Sequence, residues 1–228
     1  DIRRGALKYF GCSMSDMERN LALEQMNDLL DAMQDAKEYG SILTIKDYNW
    51  ELLYRFVSTV DFDGQLDFDA GNLEETKEKL WRLVEIAAML AQKYDVVVTN
   101  PPYMNVNGMN GKLGEFIKKN YPETKSDLST VFMEKAFSIC TSNGYMAMIN
   151  IPVWMFITSY TGLRENIINS KIAENLLHLG RGIFGSDFGT TAFVIQNTEI
   201  RHKQSKFYKL YFRQGEVNSV EENEKMFF

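Results

Sequence analysis

Over much of the chain apolar residues return every three or four positions, and at a few places they run together without a polar break. The sharpest such run is Val96-Val97-Val98, entered from Tyr94-Asp95 and left through Thr99-Asn100-Pro101-Pro102-Tyr103-Met104-Asn105. It is too short for a helix and shows no alternation, which predicts a central parallel strand covered on both faces. Ligands of such sheets sit beyond the carboxyl ends of the strands, so the polar and aromatic residues after Thr99 read as a site-bearing loop.

The remaining pattern surrounds this strand with helices. Leu21, Leu23, Met26, Leu29, Leu30 and Met33 predict a helix within 14–39, closed by Gly40 and followed by a short strand or extended segment, Ser41–Ile45. Leu80, Leu83, Val84, Ala87 and Leu90 form one face of a second helix, with Asn72 and Glu75 as its capping pair; it runs to Gln92, packs on the sheet and feeds the strand. Ser126-Asp127-Leu128 opens a third, with Val131, Phe132, Ala136 and Ile139 inward, and Asn143-Gly144 closes it before the strand Tyr145–Asn150. A helix Thr161–Ser170, a strand Asn175–Leu179, and a loop and last strand over 186–195 complete an α/β pattern.

Composition narrows the class. With 228 residues, 45% of them hydrophobic, the chain buries a substantial core. The longest apolar stretch, Tyr145–Ile157, is broken by Asn150 and Pro152 and is too short to cross a bilayer, and no signal pattern opens the chain, so a cytoplasmic protein with no membrane partner is expected. Cys12 and Cys140 stand far apart, which argues against a disulfide or a structural metal. Residues 61–71 repeat Asp-Phe-Asp without the spacing of a calcium loop and read as a solvated loop. The net charge of −6 suits a polyanion poorly, so any nucleic acid would be gripped by parts outside this chain.

The loop after Thr99 carries the clearest chemistry. A following proline confines Asn100 to extended backbone, and Pro101 and Pro102 have no N–H, so the turn offers carbonyl oxygens instead of donors. The Asn100 amide oxygen and the Pro101 carbonyl can both accept from one exocyclic amino group while the Tyr103 ring stacks on the attached heterocycle. The Gly- and Asn-rich segment 104–114 reads as a loop able to close over an extruded base. Lys112, Lys118, Lys119 and Lys125 around it mark either a phosphate contact or a solvated helix face.

Asn-Pro-Pro-Tyr resembles the motif of S-adenosylmethionine-dependent amino methyltransferases, and tyrosine in fourth place is similar to the adenine-N6 DNA methyltransferases. Through Ala91–Met104, Lys125–Leu128 and His178-Leu179-Gly180 the resemblance extends to the large methyltransferases of bacterial phage-exclusion (BREX) systems, over most of 36–200. It implies a class I, Rossmann-like α/β fold, with Asn100, Pro101, Pro102 and Tyr103 catalytic. It further implies Asp1, Asp127 and Phe132 toward S-adenosylmethionine, and Met104 and Lys112 toward the substrate. A second base-sandwiching aromatic would come from Phe184, Phe188 or Phe193, with Phe193 carried as the substrate-side candidate. The implied partners are double-stranded DNA and other proteins of a defence system.

On this reading residues 1–72 form a helical N-terminal part, 73–200 hold the sheet and catalytic loop, and 201–228 begin a linker or further domain. The chain opens on Asp1, not Met, and no third strand with its acid precedes Ser41. A piece of a longer protein is therefore expected, incomplete at its N-terminal side and by itself unable to bind cofactor or DNA.

Two other readings stand beside this one. The chain is alternatively a non-catalytic DNA-binding or assembly subunit. Gly180-Arg181-Gly182-Ile183-Phe184-Gly185 also matches the G-x-G-x-x-G dinucleotide fingerprint, the mark of an oxidoreductase, although a loop and strand follow where that fingerprint needs a helix. His178 reads as a satisfied strand residue. Basic and aromatic residues interleave over 201–213, which suits either a nucleic acid or an amphipathic strand leading to another domain.

Overall fold

Ser15 and Glu18 bond each other's backbone N–H groups, a reciprocal cap that starts helix α1 (Asp16–Ala32). The computed structural model describes residues 2, 4–61, 70–183, 189–199, 204–213 and 215–228, without the side chains of 70–72. The expectations for Asp1, Phe184, Phe188, the Asn72 cap and most of the 61–71 loop lie outside these residues. The described chain divides into two units at Gln92/Lys93, one helix later than the division expected near residue 72.

The first unit is helical. It comprises α1, α2 (Ala36–Tyr39), α3 (Trp50–Ser58) and α4 (Ala70–Ala91). Helix α3 packs on both α1 and α4. Its Leu53, Phe56 and Val57 are buried, as are Met26 and Leu29 of α1 and Leu80, Val84 and Ala87 of α4; each large apolar side chain so covered contributes about 1.5–3 kcal/mol. Gly40 ends α2 at φ +54, as expected of a helix-terminating glycine. The chain then makes a 3-10 turn, Gly40–Ile42, and passes through extended Leu43, so no strand forms at 41–45.

The second unit is mixed α/β. Strands β1 (Tyr94–Thr99), β2 (Cys140–Asn150), β3 (Ile172–Gly180), β4 (Thr190–Gln196) and β5 (Lys206–Lys209) form one sheet in the order β1-β2-β4-β3-β5. β1 and β2 are parallel, β3 and β5 are parallel, and β4 runs antiparallel to both β2 and β3. Helices α5 (Gly111–Asn120), α6 (Leu128–Ile139), α7 (Thr161–Ser170) and α8 (Val220–Phe227) complete it. Met146, Met148, Phe193, Ile195 and Leu176 on one sheet face share a core with Met133 and Ala136 of α6, Leu163 and Ile167 of α7, Trp154 and Tyr160.

The valine run is a parallel strand, but it is not central. β1 lies at the edge of the described sheet, with Val96 58% and Val98 72% exposed and only Val97 packed on the core. Three β-branched residues in a row specify an extended backbone; which faces become covered depends on elements that the run does not encode.

The pairing of β1 with β2 slips between Tyr94↔Cys140 and Val96↔Tyr145. Asn143 turns there at φ +66, and a Cβ on Gly144 would lie 2.8 Å from the Asp95 carbonyl oxygen, so a glycine is required at that close approach.

Two further expectations change. Residues 181–189 join antiparallel neighbours β3 and β4, which leaves no room for the crossover helix and parallel strand of a dinucleotide-binding unit, so the oxidoreductase reading fails. Lys206–Lys209 forms a strand, one of the two readings of 201–213, but it pairs with β3 as part of this sheet and not as a connection leaving it. Asn218 Nδ2 donates to the Leu210 carbonyl at 3.1 Å and Asn223 Nδ2 to the Leu179 carbonyl at 3.3 Å, tying the last helix to it. Among the described residues, no helix is long and apolar enough to cross a membrane and no side-chain cluster suits a metal ion.

Candidate active site

Because β1, β2 and β3 run the same way, their carboxyl ends share one edge of the sheet, and the Asn-Pro-Pro-Tyr loop leaves β1 there. Asn100 is exposed, Pro101 is buried, and the Tyr103 ring is 37% exposed. The Tyr103 hydroxyl lies 2.9 Å from Asn100 Oδ1 and 3.3 Å from the Ile149 carbonyl oxygen, and donates to either. Burial pushes the pKa of this phenol above its ordinary value, so the hydroxyl keeps its proton. Beside Asn100, a cavity of about 490 Å³ is lined by Val98, Ala147, Ile149, Leu177 and Ala192.

Immediately after the motif, the chain is anchored to the head of α6. Leu128 N–H donates to the Met104 carbonyl at 2.8 Å and Val106 N–H to the Ser126 carbonyl at 3.1 Å, with Asn105 and Asp127 paired as an isolated bridge. Asp127 caps the helix, its Oδ1 accepting from Ser129 N–H at 2.9 Å and Ser129 Oγ at 2.6 Å. Buried Asn150, at the end of β2, extends this frame. Its Nδ2 donates to the Ser129 carbonyl at 3.3 Å, its Oδ1 accepts from Ile151 N–H at 2.7 Å, and its carbonyl accepts from Thr191 Oγ1 at 3.0 Å. The loop, α6, β2 and β4 are thereby held as one piece.

The structure gathers Asn100, Pro101, Pro102, Tyr103, Met104 and Asp127 at this edge, with Phe132 half-buried on α6 against the core. It does not bring Phe193 to them. That ring is 2% exposed and meets Trp154 edge to face at 5.5 Å, because alternation along β4 points it into the helix-covered side of the sheet. Lys112 is exposed on α5. The segment 104–114 is also more regular than a plain loop. Asn105 Oδ1 accepts from Asn107 N–H and Asn110 Oδ1 from Leu113 N–H, each at 2.9 Å, so its asparagines cap a 3-10 turn and α5. Sequence reasoning missed Asn150, Ser129 and Thr191 as framework residues; a polar side chain closing an otherwise apolar strand was the available signal.

The model of the Eco57I restriction-modification methylase family matches residues 13–184. The chain belongs to that family. Asn100 to Met104, Lys112, Asp127 and Phe132 fall inside the matched segment, whereas Asp1 and Phe193 fall outside it.

The adenine-specific methyltransferase BrxX of Escherichia coli O9:H4 (strain HS) is 39% identical over 195 residues, covering 83% of this chain and 15% of that protein. The adenine-specific methyltransferase PglX of Lacticaseibacillus casei (strain Zhang) is 34% identical over 208 residues, covering 89% of this chain and 17% of that protein. The chain thus spans less than a fifth of the length of these curated relatives. Among solved structures, the type I restriction-modification methyltransferase subunit from Streptococcus thermophilus is 13% identical with a TM-score of 0.43, over 72% of this chain and 40% of that one. A mixed α/β sheet with the motif at the carboxyl end of a parallel strand is what a class I methyltransferase reading of the sequence required.

Proposed function

We propose that this chain carries the catalytic loop of an enzyme that transfers a methyl group from S-adenosylmethionine to the N6 amino group of adenine in DNA. The observation that carries the reading is the acceptor chemistry of the loop: Asn100 presents an amide oxygen at the carboxyl end of β1, within 2.9 Å of the Tyr103 hydroxyl and beside an apolar cavity. Its relatives BrxX and PglX, both adenine-specific methyltransferases, support it. The reading also places the protein with cytoplasmic DNA and with other proteins of a defence system.

The target adenine leaves the duplex at a cost of a few kcal/mol, and stacking on the Tyr103 ring offsets about 1–3 kcal/mol of it. Asn100 Oδ1 and the Pro101 carbonyl accept hydrogen bonds from the two amino N–H groups, which draws the nitrogen toward a tetrahedral form with its lone pair directed outward. For Asn100 to accept from the base, the Tyr103 hydroxyl must release it. The Ile149 carbonyl is a second acceptor at 3.3 Å, so a rotation of the hydroxyl toward it frees the amide without moving the ring. When bound, S-adenosylmethionine would supply a methyl group already activated by a sulfonium, and the methylated nitrogen would give up its surplus proton to solvent, so the chain needs no imidazole base.

The head of α6 suits the adenosine end of that cofactor in kind, offering a buried carboxylate beside the loop and a half-buried aromatic ring. Asp127 and Phe132 are the residues that would hold it. The test is methyl incorporation into DNA by the full-length protein. Asn100→Ala should lose about a hundredfold or more of activity with an unchanged melting curve, and near wild-type activity in that variant would overturn the assignment.

A further inference from the structure

A second concavity, of about 440 Å³, opens on the same edge of the sheet, beyond β2 and toward β5. Its wall is aromatic. The His178 ring lies 4.8 Å from that of Tyr211, edge to face, and 6.5 Å from that of Phe156, which is 67% exposed. Two cations line it as well, Arg181 and Lys209, with the Lys209 Nζ 4.6 Å from the Tyr211 ring centre. Glu216 is the one acid among the described lining residues, and its Oε2 accepts from the backbone N–H groups of Phe212 and Arg213 at 2.9 and 3.0 Å. Burial and the charge of Lys209 lower the His178 pKa, so near pH 7 the ring is a neutral stacking surface. The first glycine of the failed fingerprint shapes the cavity: Gly180 turns at φ +77, and a Cβ there would come 3.2 Å from the Tyr211 ring.

Rings that take any base face, rimmed by cations that take a phosphate, are the two elements of a nucleotide subsite on a single strand. The concavity is large enough for one such unit. Its position relates it to the loop. β3 stands three places from β1 in the sheet, about 14 Å at a strand spacing near 4.8 Å, and one DNA strand advances about 3.4 Å per nucleotide. We propose that this pocket binds one further nucleotide, itself unstacked from the DNA strand flanking the reactive adenine about three to five positions away, with its base against Phe156 and Tyr211 and its phosphate on Arg181 and Lys209. The inference rests on the DNA reading above and adds a second point of grip, which fixes the register of the strand as it enters the Asn100 loop.

The test uses the full-length protein and a duplex containing an adenine that it methylates. 5-Iododeoxyuridine is placed singly at each position around that adenine, and crosslinking under near-ultraviolet light should reach Phe156 or Tyr211 only from about three to five nucleotides away. Lys209→Ala should raise the DNA Kd about five- to tenfold and reduce the slope of log Kd against log salt by about one, while Lys209→Arg restores both. Phe156→Ala, at an exposed position that the fold does not need, should raise Kd without changing the slope. If the wild type methylates DNA but neither variant changes Kd or slope, and no crosslink reaches the pocket, the pocket inference falls and the catalytic reading stands. If DNA binding depends on Lys209 and Phe156 but Asn100→Ala methylates as fast as the wild type, the catalytic reading falls and the subsite stands. Crosslinking of these rings to a protein partner in place of DNA overturns the subsite.

Discussion

The Tyr103 hydroxyl and the Asn100 amide oxygen, 2.9 Å apart, hold each other: the ring proposed to stack on the base also occupies the acceptor proposed for catalysis. Removing the hydroxyl therefore separates two roles of one side chain. Tyr103→Phe is expected to stay within about tenfold of wild-type methylation, since a single hydrogen bond contributes about 0.5–1.5 kcal/mol. Tyr103→Ala should lose about 1–3 kcal/mol of base holding. With 2-aminopurine at the target position, fluorescence should show weakened capture in the Ala variant alone; equal signals from the two variants would mean that the ring does not stack.

Asn100→Asp keeps an acceptor where Asn100→Ala removes it. The Asp variant should methylate faster than the Ala variant and more slowly than wild type, because a carboxylate accepts from both the amino group and the Tyr103 hydroxyl and so clings to the latter more strongly. Single-turnover rates of the three proteins give the order. An Asp variant as slow as the Ala variant would argue that Asn100 contributes something other than an acceptor.

Asn150 joins the end of β2 to the head of α6 through Ser129, and its Oδ1 satisfies Ile151 N–H. Asn150→Ala should destabilise the fold by about 1–3 kcal/mol, as expected when buried partners are left unsatisfied. It should also lower methylation at temperatures where the protein remains folded, because Ser129 positions the helix to which the loop is tied. Thermal melting and activity at low temperature separate the two effects. Unchanged melting would show that the frame does not depend on this amide.

Lys135 is buried on α6, and desolvation together with the charge of Lys93 lowers its pKa to about 8. In the unfolded chain the same ammonium titrates near 10.5. Below about pH 8 both states carry the proton and folding bears the full penalty of burying the charge; as pH rises from about 8 to 10.5 the native lysine is neutral and the penalty disappears. Lys135→Met should therefore raise stability near pH 7 by roughly 1–3 kcal/mol, and the advantage should shrink across that window. Denaturant unfolding at pH 7, 9 and 10.5 measures it. An advantage that does not change with pH would assign the effect to packing instead of charge.

Much of the site was legible in the sequence because its signals are local. Ser126-Asp127-Leu128 states a helix start in three residues, and Asn-Pro-Pro-Tyr fixes backbone and acceptors in four. What escaped depends on neighbours distant in sequence. Val96 and Val98 specify a strand, yet their exposure follows from which elements cover each face. Phe193 and Val194 alternate along β4, and nothing within that strand says which of them faces the helices. Lys206-Phe207-Tyr208-Lys209 lacks any apolar alternation and is exposed throughout, so its place in the sheet is set by pairing with β3.

The bridge between Asn105 and Asp127 closes a side excursion of the chain, residues 106–126, whose two ends already touch. Lengthening such an excursion costs little, about 0.6 kcal/mol for each doubling of a flexible loop, and the change stops at the bridge. The excursion that carries α5 can therefore be remodelled, grafted or enlarged while Asn100 and Tyr103 keep their coordinates, which makes it a segment that evolution or an engineer can change separately from the loop.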